Sequence, residues 1–383
     1  MGGRKVSAVP FTNLAATTRE AWPLIEHDYL ACMNDANYIG GAAVQSFEHD
    51  WATYCGAHFA VGVANGTDAL RLALTALGIG PGDEVIVPSN TFIATAAAVV
   101  HAGAIPRFAD VSEETLLLTP DTLREAITTR TRAVIVVHLY GQMPDMTGLL
   151  AVADDAGLLV VEDAAQAHGA EWAGLRAGSF GAAACFSFYP GKNLGAFGDA
   201  GAVVTNRQEV ADRIRALANH GRSHDSSHYQ HDILGENSRL DALQAIVLSG
   251  KLALLEKWTQ QRTAAVSTYR ESLKGADVQM IEVNPLARHV YHLFVVRVAD
   301  RDWVRQELSD RGIQTGVHYP TPCHLQSPLQ RYADRSLPVS ERAAQQALSL
   351  PLFPHMTDEH IDTVCRALRE ALSQTSRTEV SLC

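Results

Sequence analysis

One lysine stands in Cys185-Phe186-Ser187-Phe188-Tyr189-Pro190-Gly191-Lys192-Asn193-Leu194-Gly195. The apolar run Ala183 to Phe188 reads as a buried strand. Tyr-Pro-Gly then turns the chain and leaves an amine at the strand's carboxyl end, among glycines small enough for a ligand to approach. Burial disfavours an ammonium ion, so a lysine presented this way loses its proton readily and becomes a nucleophile able to form an imine with a carbonyl. The chain has five lysines, and the other four (Lys5, Lys251, Lys257, Lys274) read as solvated residues of a polar tail and a helical pattern. A nucleotide-binding P-loop is excluded, because Phe186 stands where that motif needs glycine and Asn193 where it needs Ser or Thr.

Further chemistry sits at other strand ends. Val160-Val161-Glu162-Asp163 brings a carboxylate to the end of a buried strand, where an unpaired charge is costly, so a cation is expected to face it. Such an Asp alone is most often a helix cap; with a strand-end lysine for company, a catalytic role gains ground. Asn65-Gly66-Thr67-Asp68 marks a strand-to-helix junction whose free N–H groups suit an anion or a plain cap. Phe92, opening the next helix, suits either the cover of a flat ring or the core. Four histidines, His220, His224, His228 and His231, share one polar loop, but no carboxylate or thiolate set accompanies them at ligand spacing, and no metal is expected. Gly78-x-Gly80-x-Gly82 follows a helix and precedes a strand, the reverse of a dinucleotide fingerprint.

The elements that hold these residues alternate. Strands of Val, Ile and Leu are expected at His58–Ala64, Glu84–Pro88, Ile105–Asp110, Ala133–His138, Leu158–Asp163, Ala183–Phe188 and Ala202–Thr205, with helices between most of them. That rhythm predicts an α/β fold, a mostly parallel sheet covered on both faces and binding ligands at its carboxyl edge. Two helices are expected before residue 57, one long helix over Asn237–Leu273, and then a smaller C-terminal α+β unit. Its strands are expected at Val278–Val283, Val290–Val298 and Ile313–His318, its helix at Trp303–Arg311, and two helices close it. The division is placed at 1–250 and 251–383. The 31 basic against 42 acidic residues give a net charge of −11, which argues against nucleic acid. No apolar run approaches a membrane span, the N-terminus shows no signal-peptide core, and six scattered cysteines indicate neither disulfides nor zinc; the expected compartment is the cytoplasm.

Lysine, buried carboxylate, anion-binding helix end and aromatic lid together describe a pocket for pyridoxal 5'-phosphate (PLP). Here the chain resembles the DegT/DnrJ/EryC1/StrS family of sugar aminotransferases, within the PLP-dependent fold type I. The resemblance runs in order through Gly66–Leu70, Pro88–Thr95, Val137–Gln142, Glu162–Gly169, Phe186–Gly195, Gly235–Asp241 and Gly316–Pro320. It implies that Lys192 carries the cofactor and shuttles protons, while Asp163 pairs with the pyridine nitrogen. Gln166 would bond the ring hydroxyl and Phe92 would cover the ring. Gly66, Thr67 and Ser187 would hold the phosphate, joined by Asn237 from the partner of a homodimer with shared active sites. Tyr189, His318, Tyr319 and Arg239 would line the substrate side.

The reading that follows is transamination from an amino acid, L-glutamate by family habit, to a nucleotide-linked ketosugar. The stretch from Asn219 to Asp241 resembles members that aminate C3 of dTDP-linked sugars. A family branch with His in place of the lysine is disfavoured by Lys192. A cyclitol or other ketone substrate, and a non-catalytic PLP-binding regulator, stand as alternatives.

Overall fold

The computed structural model describes residues 8–222 and 229–380. Its centre is a seven-stranded sheet in the spatial order Phe59–Val63, Gly201–Thr205, Ala183–Ser187, Leu159–Asp163, Thr131–Val137, Glu84–Pro88 and Ile105–Ala109. Gly201–Thr205 runs antiparallel to both neighbours, and every other pairing is parallel. Strand periodicity explains the composition. Val134 and Val136 enter one hydrophobic cluster while Ala133, Ile135 and Val137 enter another on the opposite face, so both faces are apolar and the run reads as continuous Val and Ile.

A third cluster forms the core of the smaller unit. It joins Val266 and Tyr269 near the end of the helix Ala242–Ser272 to Phe294, Val296, Leu348, Leu350 and the inner face of the C-terminal helix Asp358–Val380. Val9 belongs to this cluster and pairs with Ile313, so the chain's N-terminal segment packs into the C-terminal unit. Residue 250 lies inside the unbroken 31-residue helix, which contributes residues to the cores on both sides. No helix among the described residues is long and apolar enough to cross a membrane.

Several elements differ from the sequence expectation. Three α-helices, Leu14–Ala21, Glu26–Asp35 and Gly41–Cys55, precede the sheet instead of two, with a short 3₁₀ turn at Trp22–Leu24 where Pro23 interrupts the pattern. The long helix starts at Ala242, not Asn237. Residues Asn237 and Asp241 make isolated antiparallel bridges to Asn219 and Ile39, so this stretch stays extended until Asp241 begins the helix. The expected strand at Val290–Val298 shortens to Phe294–Arg297, because the Val290 and Leu293 N–H groups are taken by the carbonyls of Gly141 and Tyr140. Val278–Val283 contributes a two-residue strand, and Ile313–His318 makes only single bridges through Ile313 and Gly316. A strand at Ala347–Leu350, directly after the helix Pro338–Gln346, was not expected.

Candidate active site

The cofactor-side residues converge at the carboxyl edge of the sheet. Gly66, Thr67, Phe92, Asp163, Gln166, Ser187, Tyr189, Lys192, His318 and Tyr319 all line one cleft of about 430 Å³. Its floor is built by strand ends. Leu159–Asp163 and Ala183–Ser187 are adjacent and parallel, so Asp163 and Ser187 arrive at the same edge.

Alternation along the strand separates two neighbouring carboxylates. Glu162 is fully buried and accepts from the N–H groups of Gly178 (3.0 Å), Phe180 (3.0 Å) and Gly181 (2.9 Å), with His138 Nε2 at 2.9 Å. Burial pushes its pKa up, but His138 and the N–H groups of Gly178 and Gly181 outweigh burial and hold it below the usual range. Glu162 thus anchors the loop that precedes the lysine strand. Asp163 faces the cleft. Its Oδ2 accepts from the Thr95 hydroxyl at 2.7 Å and its Oδ1 from the Ala165 N–H at 3.2 Å, while Thr91 Oγ1 stands 2.9 Å from Thr95 Oγ1. Desolvation wins here and raises the Asp163 pKa, with Thr95, Ala165 and the more distant Lys192 opposing it. The expected cation is therefore not in contact among the described residues: Lys192 acts on Asp163 through space, and no ion pair joins them. A cationic ring nitrogen beside Asp163 would supply the missing partner.

Lys192 follows the turn after the lysine strand, its N–H bonded to the Tyr189 carbonyl at 2.8 Å. Burial lowers its pKa from 10.5 to about 8, against the pull of Asp163. Sequence elimination rested on Lys251 being solvated, and that expectation fails. Lys251 is 5 % exposed, its Nζ donates to the Gly195 carbonyl at 2.6 Å, and its pKa is also lowered to about 8. The helix Ala242–Ser272 turns it inward beneath the Pro190–Gly195 loop, away from the main cleft. Position in the cleft, not burial alone, singles out Lys192.

The opposite wall is an anion cradle. Asn65 caps the helix Gly66–Ala76: its side chain accepts the Asp68 N–H at 2.9 Å and its carbonyl the Ala69 N–H at 3.0 Å. The N–H groups of Gly66 and Thr67 have no intrahelical acceptor by geometry, and both residues line the cleft beside Ser187. Gly66 is required there, because a Cβ would lie 2.6 Å from the Ser187 Cβ. Phe92 is 52 % exposed, so it is not a core residue; its ring stands over the cleft 5.5 Å from that of Tyr319. Gln166 is fixed at both ends, accepting from the Tyr140 N–H at 2.6 Å and donating to the Tyr319 hydroxyl at 3.1 Å, which leaves one amide hydrogen for a ligand.

Asn237 and Arg239 do not enter this cleft. Asn237 is exposed, whereas its neighbour Ser238 is buried and donates to Asp68 Oδ2 at 2.7 Å, so the motif is tied to its own chain's cradle with Asn237 turned outward. Arg239 lines a separate groove with Glu48, Arg215 and Arg222. His224 and His228 lie outside the described residues, and no metal-binding cluster occurs among the described ones. Sequence reasoning gave no role to His138 and Asp199, which line the cleft, or to Thr95, which supports Asp163. Thr95 did carry a signal: it is the one polar residue in the otherwise apolar run Ile93 to Val100.

An amine, a buried carboxylate short of a cation, a pair of helix-end N–H groups flanked by hydroxyls, and an aromatic cover fit a flat pyridine aldehyde bearing a phosphate. The fold and this site define a PLP-dependent enzyme of fold type I. The chain belongs to the DegT/DnrJ/EryC1/StrS aminotransferase family, whose model matches residues 24–369, and it is an aminotransferase with PLP as its cofactor. It is 46% identical over 365 residues to the dTDP-3-amino-3,4,6-trideoxy-alpha-D-glucose transaminase of Streptomyces venezuelae, covering 94% of this chain and 96% of that protein. A crystal structure of S. venezuelae DesV in complex with a ketimine intermediate superposes with a TM-score of 0.92 at 45% identity, covering 95% of this chain and 98% of that one. NtdA from Bacillus subtilis with bound cofactor PMP matches with a TM-score of 0.89 at 32% identity, covering 98% and 87%.

Proposed function

We propose that this enzyme moves an amino group from L-glutamate to C3 of a dTDP-linked 3-keto-6-deoxy sugar in amino-sugar biosynthesis, in the cytoplasm and as a homodimer. The observation that carries the reading is the convergence of Lys192, Asp163 and the Gly66–Thr67 cradle on one cleft whose other rim, Tyr189, His318 and Tyr319, is free for substrate. Likeness to the S. venezuelae transaminase supports the 3-keto sugar and the dTDP handle.

Bound PLP supplies an electron sink and carries the amino group between the two half-reactions. The chain's residues do the rest. Gly66, Thr67 and Ser187 would hold the cofactor's phosphate, and Asp163, held by Thr95, would keep its ring nitrogen protonated. Lys192 Nζ, uncharged above about pH 8, takes the proton given up at the donor's Cα and later delivers one to the sugar carbon that receives nitrogen. Asn237 completes the phosphate site of the partner subunit; its exposure, beside a Ser238 pinned to Asp68, supports this assignment. Arg239 would lie on the nucleotide side of the shared site.

The nucleotide end anchors the sugar, so the loop from Asn219 to Asp241 sets which ring carbon faces the amine, and a displacement of about 1 Å decides productive attack. Single-turnover measurements with the amine-loaded enzyme and the 3-keto and 4-keto isomers of the dTDP sugar test the reading. Faster return of the PLP spectrum with the 3-keto isomer is expected. A preference for the 4-keto isomer overturns the C3 assignment, and no reaction with either overturns the substrate class.

A further inference from the structure

Behind Lys192 lies a second cavity, of about 340 Å³, which shares Gln166, Tyr189, Lys192, His318 and Tyr319 with the main cleft. Its remaining wall combines apolar side chains, Phe11, Leu293, Leu350 and Leu352 among them, with His292 and Arg262. No carboxylate lines it. A smaller adjoining recess under the Pro190–Gly195 loop is lined by Lys192, Lys251 and Arg262, again with no carboxylate.

Arg262 is the unusual member. It is 6 % exposed, on the inward face of the helix Ala242–Ser272, and makes no ion pair among the described residues. Nη1 donates to the carbonyls of Tyr291 (3.3 Å) and Leu352 (3.1 Å), while the buried Nε has no acceptor. A guanidinium has five donors, and a buried cation without a counter-ion is strongly unfavourable unless something supplies the charge. Burial lowers the Arg262 pKa to about 10, and the positive field of Lys192 and Arg262 adds to burial in depressing that of His292. Lys251 differs, because its ammonium sits over the Phe197 ring as well as on the Gly195 carbonyl, and this serves as a buttress.

We propose that this cavity is the amino-donor subsite and that Arg262 grips a carboxylate of the donor, holding its amine beside Lys192. The planar fork of the guanidinium suits a carboxylate better than it suits a carbonyl pair, and an apolar wall suits the methylenes of an amino acid. The inference rests on the aminotransferase reading and is independent of which sugar accepts nitrogen.

Arg262→Met removes the fork and keeps the volume; Arg262→Lys keeps the charge. Stopped-flow absorbance of the holoenzyme with glutamate reports the donor half-reaction, and the amine-loaded enzyme with a dTDP ketosugar reports the other. The half-saturating glutamate concentration is expected to rise about tenfold to a hundredfold in Arg262→Met, the loss of a charge-assisted hydrogen bond, and less in Arg262→Lys. The sugar half-reaction should change little. Glutarate, an unreactive dicarboxylate, should raise the melting temperature of the wild-type holoenzyme and not that of Arg262→Met. An unchanged glutamate requirement overturns the proposal. So does a sugar half-reaction that weakens as much as the donor half-reaction, which would place a diphosphate on Arg262 or leave it a buttress of Tyr291 and Leu352. Should Arg262→Met fail to fold, Arg262→Lys decides by the same comparison of half-reactions. Wild-type enzyme that responds to glutamate but to no ketosugar would sink the substrate reading and leave this one standing.

Discussion

In its proposed role Lys192 must offer a free amine, and burial favours that form. With its pKa near 8, the fraction deprotonated climbs steeply between pH 7 and 9. The rate at which cofactor-free protein captures PLP is therefore expected to rise with pH through about 8 and then level, followed by the growth of the yellow absorbance. Lys192→Ala should show no borohydride-stable adduct; an adduct mapped to Lys251, whose pKa is also near 8, would refute the assignment. Stability carries the same signature. Both lysines are depressed below 10.5, so each contributes stability that grows as pH rises from about 8, opposed above about 9 by the buried thiols of Cys32, Cys55, Cys185, Cys323 and Cys365, whose raised pKa values make the folded chain keep protons that the unfolded chain releases. Lys192→Met removes the Lys192 share, so in urea titrations of the cofactor-free protein its stability should gain less than that of wild type as pH rises through about 8 to 9.

Strand ends and turns set the geometry at the next scale. Gly66→Ala places a methyl group 2.6 Å from the Ser187 Cβ, with the Ser187 Cα at 3.1 Å, so the helix end and the lysine strand must part. Overpacking of this kind costs about 1–3 kcal/mol, and its expected expression is weaker PLP retention on dialysis, with melting of the cofactor-free protein less affected. Glu162 holds the other side of the same strand. Glu162→Gln turns an amide N–H₂ toward backbone donors and is expected to cost about 2–3 kcal/mol at neutral pH. Because the folded pKa of Glu162 is lowered, its contribution is present above the usual carboxylate range and lost as pH falls through that lowered value. Denaturant midpoints of wild type and Glu162→Gln should converge below pH 4.5; a constant gap would mean that Glu162 does not titrate with folding.

At the scale of the assembled molecule, the proposed placing of the outward-facing Asn237 in a partner's phosphate site would make one subunit's pocket depend on another chain. Mixing Lys192→Ala with Asn237→Ala subunits should restore about a quarter of wild-type activity, since half the dimers are mixed and each has one intact pocket of two. Subunit exchange demonstrated by mass spectrometry with no recovery would confine each site to one chain.

The alternation of apolar strands and helices, the strand-end Lys192 and Asp163, and the Gly66 cradle were legible in the residues, because local periodicity, turn chemistry and helix-end donors are properties of short segments. The seven motifs in order carried the rest of the family resemblance. What the chain could not disclose locally depended on neighbours distant in sequence. Lys251 reads as a surface lysine until the Pro190–Gly195 loop covers it, and Arg262 as an ordinary helix cation until Tyr291 and Leu352 close around it. The run Val290–Leu293 has strand propensity, yet the Tyr140–Gly141 turn takes its N–H groups. Glu162 and Asp163 are adjacent acids in sequence. Only the fold decides that one is bonded to four donors and the other is left facing a cleft, because burial and hydrogen-bond supply are set by what packs against each face of the strand.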